Sequence, residues 1–125
     1  MAKRLSKALR GKRRWLGILV EHHITNREQL EKVLSEIGTE FFLKKPIRLM
    51  DFKNSDQYKE SEKVKQFLND REMPNDVGAA IIEVQLEDYD DVRNLISESD
   101  FFYHKGALSF TTSGKIRLVR QRIFG

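Results

Sequence analysis

The sequence predicts an α+β fold: a four-stranded antiparallel sheet with two helices packed on it and a basic helix at the C-terminal end. Three observations predict it. Four short apolar segments rich in strand formers stand apart along the chain. Between them lie two stretches with helical periodicity, each opened by capping residues. In order they give β-α-β-β-α-β and then a helix, the split-βαβ pattern. The 125 residues are 39% hydrophobic, enough for a single domain with one modest core.

Each element has a local reason. Trp15-Leu16-Gly17-Ile18-Leu19-Val20 reads as the centre of a first strand over 13–22. Thr25-Asn26-Arg27-Glu28 has capping-box spacing, so Thr25 and Glu28 are expected to open a helix. Leu30, Val33, Leu34 and Ile37 share one face of it, and Gly38 is the expected terminator. Pro46 precedes a second strand over 47–52, with Ile47, Leu49 and either Met50 or Phe52 facing inward. Residues 53–78 form a polar insertion, open to two readings: a short helix at 57–71 or a flexible loop. Residues 79–86 are the clearest strand. Asp88 is the expected cap of a second helix, whose inner face carries Tyr89, Val92, Leu95 and Ile96. Ala107 to Thr112 make a fourth strand, and Ser113 is the expected cap of a terminal helix with Ile116, Val119 and Ile123 inside. The sheet's second face is left for a ligand, a partner or that helix.

Charge is sorted along the chain. Residues 1–14 hold seven cations and no acid, and residues 104–125 hold five cations and no acid. All 19 acids lie between them. Basic ends around an acidic middle point to a polyanion, most simply nucleic acid. Residues 1–12 read as a basic flexible arm, and 13–125 as the single domain. No apolar run approaches the ~18 residues of a membrane span, and no membrane role is expected. The absence of cysteine excludes disulfides, a thiol nucleophile and cysteine metal sites, and fits a cytoplasmic protein.

Catalytic constellations are missing. No phosphate-binding glycine loop and no nucleophile elbow occurs. His22 and His23 are adjacent, and on a strand they would point to opposite faces, a poor geometry for one metal. Glu87, Asp88, Asp90 and Asp91 cluster where a helix begins, and the helix dipole accounts for them. The strand at 79–86 has no aromatic for base stacking, and Trp15 and Phe110 read as core residues. No catalytic residue and no protein-bound metal is expected. The expected RNA contacts are basic side chains that read phosphate and shape.

Two segments resemble a known family. Leu9-Arg10-Gly11-Lys12-Arg13-Arg14-Trp15 is similar to the L-R-x-K-K/R-R-Y/W opening of archaeal ribonuclease P protein component 2, counterpart of the eukaryotic Pop-five subunit. Phe110 through Arg117, followed by Arg120 and Arg122, resembles that family's closing S-G-x-I-K/R segment and basic helix. Lys45-Pro46, Leu49 to Phe52 and the strand at 79–86 with Val92-Arg93 follow in the family's order. The chain departs from it in the 53–78 insertion, where the family has a short turn, and in lacking prolines before Leu9-Arg10.

The resemblance implies a ferredoxin-like, RRM-like sandwich. It implies a non-catalytic subunit that binds the catalytic domain of ribonuclease P RNA, which removes the 5′ leader from precursor tRNA. Arg10, Lys12, Arg13, Arg14, Lys115, Arg117, Arg120 and Arg122 would contact RNA, and magnesium would sit on the RNA rather than the protein. The implied protein partner is component 3, in a heterotetramer with two copies of each; self-association into a homodimer could satisfy the same surface. Two other readings stay open: a free-standing structural RNA-binding (ribosome-associated) protein, and a small enzyme or ligand-binding domain using the acids at 87–91.

Overall fold

The computed structural model describes residues 13–125. Its strands are β1 (Arg13–Val20), β2 (Arg48–Lys53), β3 (Gly78–Gln85) and β4 (Ala107–Ser113). Its helices are α1 (Arg27–Glu40), α2 (Glu62–Asp70), α3 (Leu86–Ile96), α4 (Ser99–Lys105) and α5 (Ile116–Phe124). The sheet order is β2-β3-β1-β4, with every neighbouring pair antiparallel. This is the ferredoxin-like, RRM-like sandwich that the element order predicts.

Both faces of the sheet are covered. On one, Leu16, Ile18, Val20, Ala80, Ile82 and Val84 pack against Leu30, Leu34 and Ile37 of α1 and Val92 and Ile96 of α3. On the other, Trp15, Leu19, Ala79 and Ile81 pack against Val64 and Leu68 of α2 and Val119 and Ile123 of α5. Central strands buried on both sides need apolar residues at successive positions, which is why 15–20 and 79–82 read as unbroken runs.

The insertion is therefore a core element. α2 is capped by Ser61, whose Oγ accepts from the Val64 N–H at 3.2 Å. It is shorter than the 57–71 helix considered from sequence. The residues before it fold into an Asn54–Gln57 turn in which Asn54 Oδ1 accepts from the N–H groups of Asp56 and Gln57. Tyr58 follows, and its hydroxyl donates to the Ile123 carbonyl at 2.6 Å, tying the insertion to α5.

That tie makes stability pH-dependent. Burial, with a smaller contribution from the Glu60 carboxylate, raises the Tyr58 hydroxyl above its ordinary range. The folded chain keeps this proton where the unfolded chain releases it. The Tyr58 contribution is therefore intact below pH ~10 and is lost as pH rises beyond that value. Tyr58→Phe should cost about 1 kcal/mol at neutral pH and flatten this alkaline loss. Urea denaturation at neutral and alkaline pH checks both; an alkaline limb unchanged in the variant would contradict the assignment.

Several boundaries move for identifiable reasons. The capping box of α1 is Asn26 with Gln29, not Thr25 with Glu28: Asn26 Oδ1 accepts from the Gln29 N–H at 2.9 Å, and Gln29 Oε1 accepts from Asn26 and Thr25. Gly38 does not stop α1; the helix runs on to Glu40, and the chain reverses at Phe42, with φ of 56°. In β2, Leu49 pairs with Ile82 and Asp51 with Ile81, leaving Met50 as the extra residue of a bulge. The bulge lets Leu49 and Phe52 share one layer while Met50 joins the other.

Asp88 is no cap. α3 starts at Leu86, directly after β3, with Gln85 in the cap position and no side-chain bond. Asp88 is instead 3% exposed, and its two oxygens accept from the Lys44 and Lys45 N–H groups at 3.0 and 2.9 Å. Ser113 likewise is not the cap of α5; Lys115 occupies that position, and Ser113 Oγ accepts its N–H at 3.1 Å.

α4 is absent from the sequence reading because seven residues give no usable period. It ends at Gly106, whose φ of 87° makes the left-handed C-terminal turn. Its adjacent aromatics divide between the layers, Phe101 with the α1–α3 side and Phe102 with the α2–α5 side.

Candidate nucleic-acid interface

An RRM-type surface offers aromatics on an open sheet face. Here that face is closed by α2 and α5. Trp15 is 8% exposed beneath them, and Phe110 stands edge-on to Phe67 at 5.0 Å. Gly17 permits the closure: a Cβ there would lie 2.9 Å from Thr111 Cγ2, 3.1 Å from Val119 Cγ1 and 3.2 Å from Ile123 Cδ1. β4 adapts by a bulge at Phe110, since Gly17 pairs with Thr111 and Ile18 with Ser109.

The candidate cations divide into two groups. Arg13 and Arg120 are held by carboxylates. Arg13 Nη1 lies 3.1 Å from Glu83 Oε2, an oxygen without hydrogen-bond alignment, so charge holds this contact. Glu83 is 2% exposed on β3 and also takes Arg48 Nη1 at 3.3 Å from the opposite strand. Arg13 in turn stacks over the Trp15 ring at 5.3 Å. Arg120 Nε donates to Asp51 Oδ2 at 2.8 Å, clipping α5 across to β2.

Arg14, Lys115, Arg117 and Arg122 make no ion pair among the described residues. They gather at the C-terminal end of the edge strand β4. Arg14 lies across Gly114, where a Cβ would sit 2.8 Å from its Nη1. Arg122 Nη1 donates to Thr111 Oγ1 at 3.3 Å and the Thr112 carbonyl at 3.2 Å. Lys115 and Arg117 are exposed where α5 begins. The register explains the gathering: Trp15 pairs with Ser113, so Arg14 on β1 lies beside the start of the C-terminal basic segment. Arg10 and Lys12 lie outside the described residues.

Within the acidic segment at 87–91, Asp88 has a structural role. Both Asp88 oxygens are engaged by backbone N–H groups, leaving it committed to the fold. The histidines depart from expectation. β1 ends at Val20, so His22 and His23 sit in a turn, where both rings face Glu21. Glu83 was also missed as a structural anchor, although a lone acid inside Ile82-Glu83-Val84 is a visible signal.

Among the described residues no helix is long and apolar enough to cross a membrane. No protein-family model, curated protein or solved structure matches this chain.

Proposed function

We propose that this chain is a non-catalytic RNA-binding subunit of ribonuclease P, supporting the catalytic RNA as it removes the 5′ leader from precursor tRNA. The observation that carries this reading is the meeting of Arg14 with the C-terminal cations at one strand end, where Arg14, Lys115, Arg117 and Arg122 are unmatched by carboxylates among the described residues. These segments also bear the family resemblance. With the sheet face closed, RNA contact falls to phosphates and groove shape rather than stacked bases. Cations at such an edge neutralise phosphates where RNA strands crowd, reducing the magnesium the RNA needs to hold its fold. The chain supplies no catalytic group in this reading, and the cleavage magnesium resides on the RNA.

A second surface suits the protein partner, component 3. Phe41, Leu43, Leu95 and Phe101 line a groove of about 610 Å³ with Asp91, Glu98 and Asp100 around it. Its acidic side chains favour a basic partner segment. The assembly acts in the cytoplasm on this reading.

The test is precursor-tRNA cleavage by the cognate RNA and component 3 at limiting magnesium, with and without this chain. Cleavage should depend on the chain, and Lys115→Glu with Arg117→Glu should weaken RNA binding and lower its salt slope by about two. Arg93→Glu, on α3, serves as the charge control. Cleavage indifferent to the folded chain would overturn the ribonuclease P assignment; RNA binding retained in that case would indicate a free-standing structural RNA-binding protein.

A further inference from the structure

At the opposite end of β1 from the basic edge, the turn after Val20 brings three metal-ligating side chains together. Glu21 Oε1 lies 3.0 Å from His22 Nδ1 and 2.5 Å from His23 Nδ1. One donor atom from each of the three residues falls within 4.8 Å of the others. Asp76, just before β3, lies 3.7 Å from His22 Nδ1 but outside that group of three. In a tetrahedral zinc site, bonds near 2.1 Å place neighbouring donors roughly 3.3 Å apart. The two Glu21–imidazole separations are shorter than that value, so an ion entering the group would spread these donors.

The turn is built rather than loose. The Glu21 N–H donates to the Gly106 carbonyl at 2.9 Å, and the Ile24 N–H donates to the Glu21 carbonyl at 3.0 Å. Gly106 packs so closely that a Cβ there would come within 2.8 Å of Ile24 Cδ1 and 3.3 Å of Glu21 Cβ. The Glu21 backbone is thus fixed on both sides, and its side chain is mostly shielded while the two imidazoles remain open to solvent. Apart from Glu21 and Asp76, the imidazoles pack on each other, with ring centroids 4.0 Å apart. Mixed imidazole and carboxylate donors suit Zn²⁺ and its neighbours, whereas Mg²⁺ prefers all-oxygen sites that retain water.

We propose that Glu21, His22 and His23 bind one divalent transition-metal ion of the zinc class, with water completing its coordination. The ion would sit in the turn after β1, beside the Val20–Gly78 pairing. It is separate from the magnesium of the RNA, and the inference does not depend on the ribonuclease P reading.

The experiment uses the untagged, metal-free full chain and ZnCl₂ alone, read by calorimetric titration and by thermal unfolding. One ion per chain should bind saturably and raise Tm, because a ligand held only by the folded state stabilises it. His22→Ala and His23→Ala should each weaken binding by more than about tenfold and abolish the Tm shift, while His104→Ala changes neither. Both rings are solvent-exposed, so circular dichroism should show the variants folded. Co²⁺ should give the visible absorption of a tetrahedral site in the wild type alone. No saturable zinc binding, or binding that survives His22→Ala with His23→Ala, would overturn the proposal.

Discussion

Gly17→Val should destabilise the fold by about 3 kcal/mol and lift α5 from the sheet. The first added atom already meets Thr111, Val119 and Ile123 at 2.9–3.2 Å, and the two valine methyls extend further into the same space. β1 is central and pinned on both sides, so α5 is the element able to yield. Gly17→Ala should cost less, because the three contacts are side-chain tips that can shift by a few tenths of an ångström. The single tryptophan supplies the readout. Trp15 lies in the same layer as Val119 and Ile123, so its emission should move to longer wavelength in the valine variant. A valine variant with wild-type denaturation and emission would show that α5 does not rest on Gly17.

Asp88→Ala should be comparably damaging, at about 3 kcal/mol, through an unrelated mechanism. It leaves two backbone N–H groups, those of Lys44 and Lys45, without their acceptors beneath α3. Both bonds are charge-assisted and part-buried, so their loss costs more than that of a neutral surface pair. Asp88→Asn keeps one acceptor oxygen and should fall between the two. Guanidinium unfolding of the three proteins orders them. Amide exchange at Lys44 and Lys45 should accelerate first in the alanine variant; protection unchanged there would remove Asp88 from this role.

The strands and the two layer-forming helices were legible because each carries a periodic signal over several residues. Val119 and Ile123 mark the buried stripe of α5, whereas the few apolar positions of 53–78 leave a helix and a loop both open. What escaped depends on contacts distant in sequence. Asp88 has cap chemistry and helix-start spacing; only the path of residues 44–45 across α3 turns it into a loop anchor. The chemistry of the histidine pair turned on where β1 ends. Two more strand residues would separate the rings, while the turn joins them over Glu21. The basic residues were readable as a set but not as individuals. Arg13 and Arg120 differ from Lys115 and Arg117 because Glu83 and Asp51 come from other strands.

The edge position of β4 has a further consequence. An edge strand presents unpaired backbone groups that another chain can extend into a larger sheet. Arg122 occupies the Thr112 carbonyl, Arg14 lies over Gly114, and the bulge at Phe110 breaks the strand's regular pairing. Cations and a bulge are two of the devices that keep such edges from recruiting one another. The residues assigned to RNA thus also guard the protein against its own copies. A change at Arg14 or Arg122 would therefore expose the strand edge to pairing, whatever polyanion the chain binds.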